Sequence, residues 1–400
     1  MYSTKIYWEN PQLQSFEVTV VHCKKVEDNY EITIAEEVAR PEGGGQAGDR
    51  GSLKCESGEV EFFDTVLRGE NITLLSNSEI PDEKKFQLKL DMKWRNGMMR
   101  NHTAEHLFVS SLLQINSDLK LGYIWIDGDH GTIEIIGNSV NLELILQTEK
   151  IVQNIITDSE PVESRLVDSL DLDVQVRARE GVSKLESVRI ISIWGIDHSA
   201  CSGTHVQNTH EIGMFKVIDY KITKTGARLE FVTSDKAVEN VSEIYNLALS
   251  RKLEYPFEMQ QLGAILDKSK KASDVKQELF GEIISLMNRD PTKETFKDII
   301  FRHYYLPGFS SRNLKESLKL MELEETSVTL LFSPGSKSSF VIWINGIAGD
   351  NTQGLSKIIQ DIGGRGGGSG SSFTGGFSDV QNPREMYVKL VEGLEAWIKS

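Results

Sequence analysis

The chain has 400 residues, of which 39% are hydrophobic and 26% charged, a composition typical of a globular protein with roughly two to four domains. Its three cysteines are too few for a disulfide framework, and it contains neither a secretory signal nor an apolar span of membrane length, so we expect a cytoplasmic protein. The net charge of −15 does not exclude nucleic acid, because phosphate contacts depend on local charge and residues 84–100 and 216–228 are rich in Lys and Arg. Those two stretches are also typical of solvated faces.

Residues 1–90 alternate short apolar and polar runs separated by Gly, Asn and Asp. This pattern predicts a small antiparallel β-barrel or sheet as the first domain. A Gly-rich motif, "RPEGGGQ", lies inside it and contains Gly43, Gly44, Gly45 and Gln46. The motif is typical of a turn between strands, and it equally suits a loop whose backbone amides and Gln46 side chain approach a substrate. Both interpretations stay open.

Residues 91–234 mix helical and strand patterns and therefore predict an α+β layer structure as the second domain. The helical patterns cover residues 98–114 and 141–159, and the strand patterns cover 123–128, 131–137, 188–194 and 227–233.

Residues 235–294 keep apolar residues at helical spacing with charges between them. They predict helical arms that either pair with a second subunit in a homodimer or span two domains. Residues 295–400 predict a last α/β domain with strands, a closing helix and the Gly-rich run "GGRGGGSGSSFTGG". Such a run is typical of a flexible linker, but its place inside a domain favours a loop whose backbone approaches a phosphate or another strand.

Two pairs of metal-ligating residues share a four-residue spacing in the second domain. His102 and His106 lie in a predicted helix, so their side chains point to one face and can reach one ion. Such a pair is common without a metal, but Cys201 and His205 repeat the spacing later in the same domain. Three imidazoles and one thiolate make a four-coordinate set that suits zinc, so we predict one zinc ion per chain.

Thr103 stands where a zinc peptidase has its general base Glu, directly after the first ligand. Threonine cannot act as a base near neutral pH, and Glu105 lies on the other flank of the pair, so a peptidase is not favoured. Four protein ligands leave no open position for a metal-activated water, so zinc would hold the site together or orient a substrate. Thr103 remains available to place a water or to contact a substrate hydroxyl.

The sequence resembles the editing half of alanyl-tRNA synthetase and the free-standing AlaX editing proteins, in order and spacing over nearly the whole chain. Four stretches carry the resemblance: "RPEGGGQAGDRGSL", "MMRNHTAEHL", "VRIISIWGIDHSACSGTHVQNTHEIGMFKV" and "GGRGGGSGSSFTGG". The C-terminal domain resembles the one found beside DHH phosphoesterases and at the end of alanyl-tRNA synthetases, which indicates the long AlaX form. Ser202 stands where the synthetases commonly have Gly, and Arg365 where they often have Lys.

The resemblance implies a deacylase that hydrolyses the ester of tRNA(Ala) mischarged with serine, or with glycine. It implies zinc ligation by His102, His106, Cys201 and His205. Thr103 and Gln46 are then the candidate catalytic residues, beside the Gly-rich motif of Gly43, Gly44 and Gly45. In the tail, exposed amides and one cation make Arg365, Gly366, Gly367 and Gly368 the candidate tRNA contacts.

Two other functions remain as alternatives. The first is a zinc-stabilised tRNA-binding module without catalysis. The second is a phosphoesterase, for which the sequence has neither an Asp-His-His run nor an Asp-rich metal cluster. Since the sequence starts directly at the predicted barrel, with no aminoacylation half, we do not expect it to charge tRNA.

Overall fold

A computed structural model describes residues 5–168, 176–177, 187–193, 195–289, 293–347, 349 and 351–400. The chain divides into two compact units, Met1–Tyr255 and Pro256–Ser400. Each unit combines helices with sheets, so the predicted α+β class is confirmed. The division into four domains stays a prediction. None of the helices in the described ranges is long and apolar enough to cross a membrane.

The first unit contains the short helix α1 (Ile6–Glu9) and an antiparallel sheet of seven strands. The strands are β1 (Ser15–Val26), β2 (Asn29–Ile34), β3 (Gly51–Cys55), β4 (Gly58–Phe62), β5 (Asp64–Arg68), β6 (Asn71–Ser76) and β7 (Lys85–Leu90), in the order β4-β3-β7-β1-β2-β6-β5. In β7, Phe86, Leu88 and Leu90 are buried and the residues between them are exposed, because alternate side chains point to opposite faces. The antiparallel sheet is confirmed, and its closure into a barrel stays a prediction.

The rest of the first unit combines helices with two smaller antiparallel sheets, of order β13-β14-β9-β8 and β10-β11-β12. The elements are α2 (Met92–Ile115), β8 (Lys120–Ile126), β9 (Gly131–Ile136), α3 (Leu142–Asp158), β10 (Val162–Asp168), β11 (Ser187–Ile193), β12 (Asp197–Ala200), a 3-10 helix (Thr209–Ile212), β13 (Phe215–Ile222), β14 (Gly226–Thr233) and α4 (Ser234–Arg251). Trp194, the last residue of the predicted strand 188–194, lies outside the described residues.

Helix α2 carries the predicted histidine pair into the core. It begins earlier than predicted, because the Asp91 carboxylate accepts hydrogen bonds from the backbone N–H groups of Lys93 and Trp94 at 3.0 and 3.1 Å. Apolar residues of its second half, such as Leu107 and Phe108, are completely buried in the core of this unit. Their burial fixes the rotation of the helix and so the direction of its polar side chains.

The second unit contains helices and a six-stranded sheet of order β15-β16-β17-β18-β20-β19. Its elements are α5 (Leu262–Arg289), β15 (Lys293–Phe296), β16 (Ile299–Tyr305), α6 (Ser311–Leu320), β17 (Ser327–Ser333), β18 (Ser338–Asn345), α7 (Thr352–Asp361), β19 (Arg365–Ser369), β20 (Ser372–Phe377) and α8 (Pro383–Lys399). Helices α4 and α5 cover most of the predicted arms, whereas residues 252–258 between them are not helical and β15 begins at Lys293. The kinship with DHH-associated domains and a dimer through these elements stay predictions.

The Gly-rich run at residues 363–376 forms a hairpin rather than a loop. Strand β19 pairs with β20 and lies at the edge of the sheet, with all five of its residues exposed. The absence of side chains permits close packing: a Cβ at Gly375 would lie 2.4 Å from the backbone oxygen of Arg365 and from the ring of Phe340. This backbone therefore approaches another strand, one of the two alternatives above, and tRNA contact through residues 365–368 stays a prediction.

Candidate metal centre

The candidate metal centre consists of His102, His106, Cys201 and His205, whose ligand atoms all lie within 4.8 Å of one another. Helix α2 presents the two buried histidines one turn apart. Cys201 and His205 lie in the segment after β12, which is anchored by the hydrogen bond from the Cys201 backbone N–H to the Arg189 oxygen, at 2.9 Å. Strand pairing and helix packing thus bring together two motifs that are distant in sequence.

Two distances between donor atoms are close to those around a tetrahedral zinc ion. Cys201 Sγ lies 3.5 Å from His102 Nε2 and 3.2 Å from His205 Nε2. Ligands of tetrahedral zinc, at about 2.0–2.3 Å from the ion, are roughly 3.3–3.8 Å from one another. Imidazole nitrogen and thiolate sulfur, the two donor types present here, are both usual ligands of zinc. The predicted ligands therefore form a group suited to holding this metal.

Each imidazole has a partner at Nδ1, which leaves its Nε2 for a metal. A polar group at one ring nitrogen fixes the tautomer and the orientation of a ligating histidine. The three pairs are His102 with Gln46 Oε1 at 2.6 Å, His106 with Asp197 Oδ2 at 2.7 Å, and His205 with Thr103 Oγ1 at 3.1 Å.

The protonation states favour metal binding at two of the ligands. Burial would raise the pKa of Cys201, but the adjacent His102 imidazole outweighs it and holds that pKa well below its usual range. Burial lowers the pKa of His205 well below its usual range. A thiolate and a neutral imidazole are the forms that ligate a metal. At His106 burial opposes the charge, but Asp197 and then Cys201 raise the pKa to about 10, so a metal would displace a proton there.

Asp197 is a positioning residue that sequence reasoning missed. Besides His106, its carboxylate accepts hydrogen bonds from the Ser199 hydroxyl at 2.6 Å and from the Arg177 guanidinium at 3.0 Å. Burial opposes its ionisation, but His106 and Arg177 lower its pKa below the usual range. The available signal was its place four residues before Cys201, at the start of a short polar strand.

The Gly-rich motif forms a tight turn that brings Gln46 into the centre. The backbones of Gly43 and Gln46 exchange hydrogen bonds of 3.0 and 3.1 Å, while Gly44 and Gly45 have φ values of 62° and 85°. Both central residues thus require the left-handed region, as in a type I′ turn. Buried Arg40 donates to three carbonyl oxygens of this turn and its flank. The turn interpretation is confirmed, and contact with a substrate stays a prediction.

The side chains of Gln46 and Thr103 are hydrogen-bonded to protein groups. Besides His102, Gln46 Oε1 accepts from the backbone N–H of Thr204 at 3.1 Å, and its amide donates to the Thr204 hydroxyl at 2.9 Å. The Thr103 hydroxyl donates to the Met99 oxygen at 2.9 Å and accepts from the Val206 N–H at 3.3 Å. The catalytic roles predicted for both residues remain predictions.

A cavity of about 750 Å³ adjoins the centre. Its walls include His102, His106 and Cys201 of the centre, together with Trp8, Gly44, Glu105, Arg177 and Arg189. The candidate metal centre therefore borders a space large enough for a small ligand or the end of a larger one. The predicted tRNA contacts, residues 365–368, lie in the second unit.

Comparisons with known proteins confirm the resemblance to alanyl-tRNA editing proteins. Residues 188–233 match the family described as the threonyl and alanyl tRNA synthetase second additional domain. The chain is 28% identical, over 99% of its length, to the alanyl-tRNA editing protein AlaX-L of Pyrococcus horikoshii and covers 99% of that protein. It is 25% identical, over 92% of its length, to an alanine–tRNA ligase of Sulfurisphaera tokodaii, but spans only 41% of that enzyme.

Among solved structures, the C-Ala domain of Aquifex aeolicus alanyl-tRNA synthetase is 18% identical to this chain. The similarity covers 27% of this chain and 99% of that domain, with a TM-score of 0.24. At that score the likeness carries no argument about the fold.

Proposed function

We propose that this chain is a zinc-dependent deacylase that acts in trans on tRNA(Ala) mischarged with serine, with glycine as a second amino acid that it removes. The observation that carries the proposal is the donor set of His102, His106, Cys201 and His205 beside a cavity of about 750 Å³. Similarity to AlaX-L over 99% of both chains supports the same reaction. Such a reaction belongs where translation occurs, in the cytoplasm.

The hydrolysis needs only modest catalysis by the protein because an aminoacyl ester is already reactive. Holding the ester against a water and stabilising the developing oxyanion suffice without a strong base. Zinc, when bound, would supply a fixed positive charge and join helix α2 to the segment after β12. Gln46, Thr103 and Asp197 orient the imidazoles, each through the histidine that it contacts.

Discrimination against alanine depends on the serine hydroxyl. A site built to hydrogen-bond that hydroxyl leaves polar groups unpaired when alanine enters, whereas a small apolar pocket could not reject alanine in this way. The cavity walls are largely apolar, but the polar side chains of Glu105 and Arg177 lie in the wall that includes His102 and His106 and suit the first arrangement. Thr103, whose hydroxyl lies 3.1 Å from His205 Nδ1, would instead orient this histidine for the metal.

The tail is proposed to hold the body of the tRNA. Strand β19 is the edge of its sheet, and its residues, including Arg365, Gly366, Gly367 and Gly368, are exposed. An exposed strand with unpaired amides and one cation can contact phosphates without adding much positive charge to an acidic protein.

The four-ligand donor set also favours a second candidate, a zinc-stabilised tRNA-binding module. Structural zinc sites typically have four protein ligands, whereas catalytic sites keep one position open. Incubating the zinc-loaded protein with tRNA(Ala) charged with serine, glycine or alanine separates the two candidates. The deacylase releases serine and glycine and spares alanine. Binding of all three tRNAs without release of any amino acid would favour the module.

A further inference from the structure

The cavity beside the candidate metal centre is lined by three charged side chains, each with one buried atom that lacks a hydrogen-bond partner. Within the described residues, Glu105 Oε1, Arg177 Nε and Arg189 Nε are buried and accept or donate no hydrogen bond. Buried polar atoms in folded proteins are normally paired. Three such atoms around one cavity indicate that a polar ligand completes their interactions.

Glu105 is the acidic member of this group and lies next to the metal ligands without being one of them. Its side chain is 1% exposed, and Oε2 lies 3.7 Å from His106 Nε2. Oε1 lies 3.9 Å from the Arg177 guanidinium, too far for a hydrogen bond. Arg177 instead donates to Asp197 at 3.0 Å. The carboxylate of Glu105 is therefore left with capacity to bind a cation.

We infer that Glu105 binds the α-ammonium group of the aminoacyl moiety, an inference that rests on the proposed function. The ester carbonyl, the serine hydroxyl and the ribose are neutral, and the phosphates of the tRNA would be repelled by a carboxylate. The α-ammonium group is the cation of the substrate that lies beside the scissile bond. A buried carboxylate forms a short, charge-assisted hydrogen bond with such a group.

Glu105 thereby makes the site selective for a free amino group. A hydrogen bond to a charged partner changes affinity by roughly 10- to 100-fold. An acyl group that lacks the amine forfeits this contact and leaves Glu105 Oε1 without a hydrogen bond. The site then favours aminoacyl esters over other acyl esters at the same ribose position.

Two hairpin RNAs with the acceptor stem of tRNA(Ala) test the inference. One ends in 3′-deoxy-3′-(L-seryl)amido-adenosine, an amide that resists hydrolysis, and the other carries L-glyceroyl in place of L-seryl, so a hydroxyl replaces the amine. Calorimetry on the zinc-loaded wild-type protein should give a dissociation constant roughly 10- to 100-fold lower for the seryl hairpin. Equal affinities, or no binding of either hairpin, would overturn the assignment of Glu105.

The variant Glu105→Gln should bind the two hairpins with nearly equal affinity. The ratio within one variant is the readout, because a change in zinc content or folding affects both hairpins alike. Glu31→Gln is the matched control: Glu31 is also a buried, ion-paired carboxylate, with Lys24 and Arg68, but does not line the cavity. It should keep the wild-type preference. A Glu105→Gln protein that keeps the preference would overturn the inference.

The same proteins distinguish this inference from the proposed function. A wild-type protein that deacylates Ser-tRNA(Ala) but shows no preference between the hairpins retains the function and overturns the role of Glu105. A wild-type protein that prefers the seryl hairpin but hydrolyses no aminoacyl-tRNA supports ammonium binding by Glu105 and contradicts the deacylase.

Discussion

Asp197 Oδ2 lies 2.7 Å from His106 Nδ1, on the side of the imidazole opposite the ring nitrogen available to a metal. A carboxylate in this position orients a ligating histidine and strengthens it as a donor. Because Asp197 lies in β12 and His106 in helix α2, this contact joins the two elements. Asp197 also receives hydrogen bonds from Ser199 and Arg177. The short strand thus holds His106, a candidate metal ligand, in place.

Replacing Asp197 by Asn should weaken zinc binding by about 10- to 100-fold, since the amide cannot carry the charge that orients His106. Competition with a chelator of known affinity measures the effect. Asp127→Asn is the matched control, because Asp127 likewise pairs with a histidine, His130, at 3.2 Å but does not line the cavity. Equal zinc affinity in the two variants would contradict the role of Asp197.

Cys201→Ala should remove zinc from the protein. The thiolate is one of four donors, and the loss of one donor weakens a structural zinc site strongly. Elemental analysis should fall from about one zinc ion per chain toward none, and the melting temperature should drop because the metal joins two segments of the first unit. Cys23→Ala, at a partly buried cysteine outside the centre, should retain the metal. A Cys201→Ala protein with full zinc content would exclude this donor set.

Gly203→Ala should disturb the metal centre without removing a ligand. A Cβ at this position would lie 2.1 Å from His102 Cε1 and 2.6 Å from Gln46 Oε1, so His102 must move. We expect reduced zinc affinity and reduced deacylation. Gly58→Ala is the control, since the nearest atom to a Cβ there is Pro81 Cγ at 3.9 Å. If Gly203→Ala has the same zinc affinity and deacylation rate as Gly58→Ala, then His102 is not confined by Gly203 as the structure indicates.

These residues mark what the sequence could and could not predict. The four-residue spacings predicted a group of side chains that the structure does bring together, because helix periodicity places His102 and His106 on one face. Zinc ligation by this group stays a prediction. The role of Asp197 was not predicted, because it lies 91 residues from His106 in sequence and their contact depends on tertiary packing. Arg95 belongs to a basic stretch, yet the structure buries it in an ion pair with Asp49. Local sequence patterns indicate periodicity and charge, but they do not indicate which residue, distant in sequence, a side chain contacts.

The Gly-rich run of the tail is a second feature that local sequence did not predict, in this case at the level of backbone conformation. Composition alone favoured a linker or a loop, because Gly weakens strands. The run forms strands because close neighbours fill the space that side chains would need, as at Gly375 against Phe340. That reason lies in the tertiary packing, so no inspection of the run itself could supply it.

Thr103→Val should lower zinc affinity more than it changes the preference for serine over alanine. The substitution leaves the Val206 N–H and the His205 Nδ1 without their partner, at a cost of about 1–3 kcal/mol each. Thr103→Ser keeps the hydroxyl and should retain both properties. Direct recognition of serine by Thr103 predicts the opposite pattern, with zinc retained and selectivity lost.

Arg365→Ala should raise KM for Ser-tRNA(Ala) a few-fold with kcat nearly unchanged, since contacts far from the ester contribute uniform binding. The dependence of log affinity on log salt should become shallower by about one unit per lost phosphate contact. Arg312→Ala, an exposed arginine of the same unit that pairs with Glu316, serves as the control. An unchanged KM and salt dependence would show that β19 does not contact tRNA.

The central claim is best tested by the rates at which the zinc-loaded wild-type protein deacylates Ser-tRNA(Ala) and Ala-tRNA(Ala). The account predicts rapid release of serine, with alanine largely retained, and loss of this activity in Cys201→Ala. The hydroxyl that distinguishes the two amino acids should produce the difference in kcat/KM. Failure to release serine, or equal rates for both amino acids, would contradict the account.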